Sequence, residues 1–276
     1  MTCATLMVHL EVGSSNVRIL QVAGDLADRF QAGVIGIAAA QPMQIVYADG
    51  YVSGDMIEDD REEKDKEIQA AEAEFRQAFQ TRSNDLEWRA LVTLNPLSDY
   101  LACEARSADL FVTCVDRSKS IFDASRHVEM GDLVMRIGRP VLIVPKTESK
   151  ITLERMLVGW KDSRETRRAI VDALPLLEKA GSVTVAEIAI ASQMDEARRR
   201  LDQVVQWLKR HGVAAEAVVV ASTGRDSAQL GELAREHKAD VIVAGAYGHN
   251  RVREWMLGGV TRDLLLHADR CALVSH

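Results

Sequence analysis

Four glycines near the end of the chain are spaced as in a site for an anion. Gly245 and Gly248 end an apolar, β-branched run, and Gly258 and Gly259 follow after nine intervening residues. A glycine lets its backbone approach a phosphate closely, and the first N–H groups of a helix point toward such an anion. A strand, a glycine-bounded loop and a helix that begins at Gly258-Gly259 are therefore predicted to form a phosphate cradle.

The elements that would position this cradle alternate between strands and helices along the whole chain. The predicted strands are Leu6–Leu10, Gly33–Ala40, Leu86–Thr93, Leu110–Val115, Val141–Val144, Arg155–Trp160, Ser182–Ile190, Ala215–Ala221, Val241–Ala244 and Ala272–Ser275. The predicted helices are Asn16–Gln31, Glu62–Gln80, Asn95–Ser107, Glu129–Ile137, Arg164–Lys179, Met194–His211, Asp226–His237 and Gly259–His267. The stretch Gln41–Asp60 carries Pro, Gly and Asp without a clear period and is predicted to be a loop. Alternation with continuously apolar strands predicts an α/β fold with a parallel sheet covered on both faces.

The order of elements repeats, and the repeat can be checked by register. Asp109 aligns with Asp240 and Arg139 with Arg270 at one offset, since 240 − 109 and 270 − 139 are both 131. The first strands align at an offset of 150, so the first half holds the longer insertions. We therefore predict two copies of one domain, 1–147 and 151–276, which meet at a short polar stretch.

The same register shows that the first half lacks the cradle. The residues of the first half that align with Gly245, Gly248, Gly258, Gly259 and Thr261 are Cys114, Arg117, His127, Val128 and Met130. A valine and a methionine do not readily replace a glycine backbone and a hydroxyl beside phosphate. An anion site is therefore predicted in the second half only.

Gly245-x₂-Gly248-x₉-Gly258-Gly259-Val260-Thr261 resembles the nucleotide loop of the universal stress protein family, and the resemblance extends over both halves. The stretches 160–163 and 245–249 look like those of bacterial tandem members. The resemblance implies two tandem doubly wound, Rossmann-like domains of five parallel strands each. It also implies a role in the stress response.

The resemblance further implies that ATP, with or without Mg²⁺, binds with its triphosphate on this loop. In the family, a serine or threonine after the third glycine and the following valine and threonine contact phosphate or ribose; the matching positions here are Gly259, Val260 and Thr261. An aspartate that ends the first strand contacts the nucleoside, but its position holds Lys161, with Asp162 one residue later. Lysine cannot accept a hydrogen bond from a ribose hydroxyl, although it could pair with phosphate.

The composition argues against several other classes. The chain has 276 residues and a formal net charge of −7, and it has no basic block, so nucleic-acid binding is not expected. The run Arg198-Arg199-Arg200 is interpreted as the solvated face of a helix. No apolar run approaches the length of a membrane span, and the N-terminus is predicted to be a strand rather than a signal peptide. None of the four cysteines lies in C-x-x-C spacing. A cytoplasmic protein with reduced thiols is expected.

Three function classes remain open. One is a nucleotide-binding stress sensor or regulator; the second is a nucleotide-free interaction scaffold, whose glycines serve only a strand-to-loop turn and a tight helix entry. The third is a slow ATPase. The sequence contains no G-x-x-x-x-G-K-[ST], G-x-G-x-x-G, G-x-S-x-G or H-E-x-x-H motif, so a metabolic enzyme is not expected. The protein partners are unknown. The halves are expected to pack as a pseudo-dimer through the strands Val141–Val144 and Ala272–Ser275, and a homo-oligomer is possible.

Overall fold

The computed structural model describes residues 3–42, 54–82, 84–115, 128–246 and 270–276. Its strands are β1 Thr5–Leu10, β2 Gly33–Ala40, β3 Leu86–Val92, β4 Leu110–Val115, β5 Val141–Pro145, β6 Arg155–Trp160, β7 Ser182–Ala189, β8 Ala215–Ala221, β9 Val241–Gly245 and β10 Cys271–Ser275. Its α-helices are α1 Val17–Phe30, α2 Gly54–Phe79, α3 Leu97–Glu104, α4 Met130–Arg136, α5 Arg164–Asp172, α6 Leu174–Leu177, α7 Met194–Arg210 and α8 Asp226–Glu236. The helix predicted at Gly259–His267 lies outside the described residues.

The strands form one sheet of ten, in the order β3-β2-β1-β4-β5-β10-β9-β6-β7-β8. All neighbouring pairs are parallel except β5 with β10. The central strands are apolar at nearly every position because both faces are covered by helices. One face packs against α1, α2 and α5 to α7, and the other against α3, α4 and α8. The predicted α/β architecture is confirmed.

The two halves join through their last strands, as predicted. Leu273 of β10 lies opposite Leu142 of β5 in antiparallel register, and both side chains are fully buried. The main apolar cluster continues across this seam, from Leu6 in the first half to Leu208 in the second. Because the seam is antiparallel, the carboxyl ends of the parallel strands lie at opposite edges of the sheet in the two halves.

The repeat read from the sequence has a structural counterpart in two matched aspartates. The Asp109 carboxylate accepts a hydrogen bond from the backbone N–H of Thr5, at 3.0 Å. In the second half, the Asp240 carboxylate accepts one from the N–H of Arg155, at 2.8 Å. Each aspartate ties the start of the first strand to the fourth strand of the same half.

Two predicted elements were wrong in their bounds. The last part of the predicted loop Gln41–Asp60 belongs to α2, which begins at Gly54. Met56 and Ile57 in this part are exposed, so no apolar period marks it, whereas a pair such as Lys66–Glu62 supports the helix from its surface. The helix predicted at Arg164–Lys179 breaks at Ala173, since Pro175 lacks the N–H that a continuous helix needs.

The stretch between the halves is bound to α1. The Arg18 guanidinium donates to the carbonyl oxygen of Thr147 at 2.8 Å, and Arg29 donates to that of Thr152 at 2.6 Å. Ile151 and Leu153 are buried in the main cluster. In the ranges that the structure describes, no helix is both long and apolar enough to cross a membrane.

Candidate functional site

The carboxyl ends of β6 and β9 meet at the point where the strand order of the second half reverses. From β6 the chain moves to β7 and β8 on one side, whereas β9 lies on the other side. Gly159 of β6 is in register with Ala244 of β9, so the residues that follow both strands share one edge of the sheet. Open α/β sheets bind ligands in the crevice at such a point. The edge is therefore the candidate site.

Gly245, at the end of β9, lies directly against the first turn of α5. A Cβ atom at this position would be 2.5 Å from the backbone nitrogen of Thr166 and 2.6 Å from the carbonyl carbon of Glu165. The neighbouring Ala246 is fully buried and packs into the apolar cluster of the first half. The glycine at 245 is thus required by helix packing, and its predicted contact with phosphate stays a prediction.

The loop after β6 is tight and leads straight into α5. The Ser163 N–H donates to the carbonyl oxygen of Lys161 at 2.6 Å. The Ser163 hydroxyl in turn accepts a hydrogen bond from the backbone N–H of Thr166 at 3.3 Å, which caps the helix. This turn fixes the first residues of α5 beside the end of β9.

The structure brings three of the predicted site residues, Gly245, Lys161 and Asp162, to this edge. Lys161 is exposed. The Asp162 carboxylate accepts a hydrogen bond from the Arg167 guanidinium at 2.8 Å, so its charge is already paired. The predicted site residues outside the described part of the chain are Gly248, Gly258, Gly259, Val260 and Thr261.

Glu165 is a site residue that the sequence interpretation missed. Its side chain is buried, with 3% of the residue exposed. One carboxylate oxygen contacts the Arg164 guanidinium at 3.1 Å, whereas Oε2 is buried with no hydrogen-bond partner among the described residues. Burial raises the pKa of this carboxyl, but its own backbone N–H, the Ser163 hydroxyl and Arg164 outweigh burial and lower the pKa below its usual value. The edge therefore contains a buried, ionised acceptor.

A second missed feature lies behind the edge, on the face of the sheet that carries α7. The Arg200 guanidinium donates to Glu187 on β7 at 2.6 Å and to Glu196 at 2.8 Å. The interpretation of residues 198–200 as a solvated face is therefore wrong for Arg200, whose partner Glu187 is buried. Glu187 and Arg200 are thirteen positions apart on different elements, so no local sequence pattern reveals this pair.

The matching edge of the first half is closed by its own side chains. Asn16 is buried and donates through its amide to Glu74 at 3.2 Å, and Glu11 pairs with Lys146 at 2.8 Å. Val128 and Met130, which align with Gly259 and Thr261, are buried in the core. The polar groups described at this edge are therefore engaged with one another, and the two aligned apolar side chains belong to the core.

The start of α4 in the first half is also capped from within. The Glu129 carboxylate accepts a hydrogen bond from the backbone N–H of Gly131 at 3.2 Å. A carboxylate at a helix N-terminus satisfies the same free N–H groups and the same dipole that would attract phosphate. The residue that aligns with Glu129 in the second half is Val260, which has no side-chain acceptor.

The described residues contain no grouping suited to metal binding, and two of the cysteines are buried. Within the described ranges, no three His, Cys, Asp or Glu side chains are grouped so as to hold a metal ion. All four cysteines are free. Burial raises the pKa of the Cys3 and Cys271 thiols to about 12, so neither is a nucleophile at neutral pH.

Comparison with known proteins finds a family match in the second half of the chain and the same fold over its whole length. Residues 152–275 match the model of the Universal stress protein family. A universal stress protein of Methanocaldococcus jannaschii is 24% identical over 125 residues, which cover 44% of this chain and 75% of that protein.

Two solved structures cover the whole chain and show the tandem fold. A universal stress protein from Archaeoglobus fulgidus DSM 4304 superposes with a TM-score of 0.73 at 12% identity, covering 99% of this chain and 96% of its own. A functionally unknown protein from Pseudomonas aeruginosa PAO1 gives a TM-score of 0.65 at 13% identity, covering 99% and 92%. The family match therefore concerns the second half, residues 152–275, whereas the two solved structures show that the chain as a whole has the tandem fold.

Proposed function

We propose that this protein binds ATP at the carboxyl edge of its second half and serves as a sensor or regulator in the stress response. The second domain, 151–276, would hold the nucleotide. The first domain, 1–147, would complete the fold through the shared sheet. The triphosphate would lie on Gly248 and on Gly258–Thr261, with Lys161 close enough to the edge to pair with it.

The difference between Glu129 and the residue that aligns with it in the second half carries this proposal. The first half covers the N–H groups of α4 with its own Glu129 carboxylate, at 3.2 Å from Gly131 N. At the aligned position the second half has Val260, preceded by two glycines, so a helix there would need an acceptor from outside the chain. The phosphate of a nucleotide is such an acceptor. The buried Glu165 oxygen at the same edge fits the same ligand, because a nucleoside brings hydrogen-bond donors.

A regulatory role fits the charged groups at the edge better than a metabolic reaction does. The Asp162 carboxylate is held by Arg167, and no cluster of carboxylates for Mg²⁺ is present in the described residues. Phosphoryl transfer needs metal ions on the phosphates and a group that orients the attacking water. We therefore expect bound ATP to turn over slowly, if at all.

Ligand-dependent stability is the direct test. A ligand that binds the folded state stabilises it by about 2.7 kcal/mol when its concentration is 100 times its Kd. The melting temperature should therefore rise steadily with ATP, in the presence and absence of Mg²⁺. Gly248→Arg and Gly258→His, which copy the first half, should abolish the rise. Gly231→Arg is the control, since a Cβ on that helical glycine would meet nothing within 4 Å.

The other two function classes give different results in the same samples. An interaction scaffold would show no rise in melting temperature at millimolar ATP, and that result would overturn the proposal. A slow ATPase would release phosphate above a no-enzyme control, and the release would disappear with Gly248→Arg but persist with Gly231→Arg.

A further inference from the structure

Glu165 is the one buried carboxylate at this edge whose missing partner is best supplied by a ligand. Glu165 is only 3% exposed, and its Oε2 atom is buried with no hydrogen-bond partner among the described residues. A buried ionised oxygen without a donor is costly, so such groups in folded proteins are normally satisfied. The position therefore calls for a hydrogen-bond donor.

The neighbouring acidic groups do not need such a ligand. Asp162 is engaged by Arg167 at 2.8 Å. Glu187 also has one unpartnered oxygen, but the indole N–H of Trp160 and the Nε of Arg200 are likewise unpartnered. Trp160 lies opposite Glu187 in the β6–β7 register, and Arg200 already pairs with Glu187. Residues with an unused N–H group are therefore neighbours of Glu187 within the fold. No spare donor of this kind accompanies Glu165 in the described residues.

We propose that the Glu165 carboxylate accepts a hydrogen bond from a ribose hydroxyl of the nucleotide bound by the second half. The inference rests on the proposed function and adds the orientation of the ligand. It assigns to Glu165 the acceptor role that Lys161, at the end of β6, is chemically unable to fill.

Charge and position favour the sugar over the other parts of the nucleotide. An ionised carboxylate repels phosphate, so the triphosphate is expected to lie away from Glu165. Glu165 is nevertheless adjacent to Gly245, only three residues before Gly248, because the Glu165–Thr166 peptide lies against the end of β9. The donors closest to a triphosphate on that loop are the ribose hydroxyls, whereas the base amino group is at the far end of the molecule.

Calorimetric titration with matched nucleotides tests the contact. The wild-type protein should bind ATP about ten to a hundred times more tightly than 2′-deoxy-ATP or 3′-deoxy-ATP, the range expected for one hydrogen bond to a charged group. Glu165→Ala should weaken ATP binding and remove most of this discrimination, whereas Glu165→Gln, which keeps an acceptor oxygen but loses the charge, should remove part of it. Glu178→Gln is the control, since it removes an exposed carboxylate just after α6, away from this edge, and should leave the ratio between the nucleotides unchanged.

Four outcomes would overturn the inference, and they can be told apart. Full discrimination in Glu165→Gln would show that another group reads the sugar. If the wild-type protein bound inosine triphosphate more weakly than ATP but bound the deoxy analogues as tightly as ATP, the contact would be with the base. An effect of Glu165→Gln that requires Mg²⁺ would make the carboxylate a cation ligand. Absence of any nucleotide binding by the wild-type protein would remove the proposed function and the inference with it.

Discussion

Gly245 and Thr166 belong to different layers of the fold, yet a Cβ atom on Gly245 would lie 2.5 Å from the backbone nitrogen of Thr166. Real Cβ atoms do not approach backbone atoms so closely, and neither the strand end nor the helix start can give way as a flexible side chain would. The glycine that begins the predicted nucleotide loop is therefore also the residue that allows α5 to pack against the sheet.

Gly245→Ala should accordingly destabilise the protein even when no nucleotide is present. Overpacking of this kind typically costs about 1–3 kcal/mol, measurable as a lower midpoint in urea unfolding. Gly231→Ala in α8 provides the matched control, because its Cβ would meet nothing within 4 Å. Alanine in a helix interior should stabilise by up to about 1 kcal/mol. Equal stability of the two variants would contradict the packing role of Gly245.

The seam between the halves should make them unfold as one unit. Leu142 and Leu273 face each other across β5 and β10 and are fully buried in a cluster that extends through both halves. Leu273→Ala should cost about 2–5 kcal/mol, as expected for truncation of a core leucine. Hydrogen exchange should then show that β2 and β7 lose protection at the same denaturant concentration.

A substitution away from the seam provides the comparison. Val219→Ala, on the edge strand β8, shortens a side chain that is only partly buried. It should cost clearly less than Leu273→Ala. Separate unfolding of β2 and β7 in the wild-type protein would show that the shared sheet does not couple the halves.

The strand positions and the repeat could be predicted from sequence because burial on both faces imposes an apolar pattern on the central strands. A run such as Val141–Pro145 is apolar throughout. Val141 pairs with Phe111 in the first half, and the aligned residues Ala272 and Ile242 pair in the same way in the second half. The start of α2 could not be predicted, since Met56 and Ile57 point into solvent and no apolar face is required there.

The candidate site could be predicted only where the chain itself forms it. Glycine spacing identified the edge at Gly245, but that spacing does not report which side chains become buried there. Glu165 looks like any acid in the first turn of a helix, and only the approach of β9 to that turn shows it to be enclosed. Glu187 and Arg200 likewise belong to separate elements that the fold brings together.

Arg200 should contribute far more to stability than its neighbours in the arginine run. Loss of one partner of a buried pair leaves an uncompensated charge, which typically costs about 3–5 kcal/mol. Arg200→Leu should therefore lower the free energy of unfolding by about 3 kcal/mol, since Glu187 stays buried. Arg198→Leu is the control, because Arg198 pairs with the exposed Asp195 and should contribute less than about 1 kcal/mol.

A second substitution in the same pair separates burial of charge from general loss of packing. In the first half the residue at the matching position of β2 is Ala38, which faces Leu10 as Glu187 faces Trp160. Adding Glu187→Ala to Arg200→Leu removes the stranded carboxylate and should recover most of the lost stability in chemical denaturation. A double variant no more stable than Arg200→Leu alone would contradict this account.

The thiols should react in an order set by burial. Cys103 is exposed, whereas Cys3 and Cys271 are buried and their pKa values are raised to about 12. A maleimide at pH 7 should therefore label Cys103 rapidly in the native protein and reach Cys3 and Cys271 only on unfolding. Mass spectrometry of the peptides will identify the modified sites. Cys103→Ser should remove the rapid phase, and rapid labelling of Cys271 would contradict the buried position of β10.

The same two thiols should also make the protein less stable in alkali. A thiol whose pKa is raised on folding contributes stability that is fully present below its unfolded pKa of about 8.5 and is lost as the pH rises toward about 12. The free energy of unfolding should therefore fall above about pH 8.5, because the unfolded chain releases protons that the native state retains. Urea titrations of the wild-type protein and of Cys3→Ala/Cys271→Ala between pH 7 and pH 10 will separate this effect from the titration of lysines and tyrosines. The double variant should show the shallower decline, since its core no longer holds a thiol that must stay protonated; identical slopes would mean that the two thiols are not buried as the structure places them.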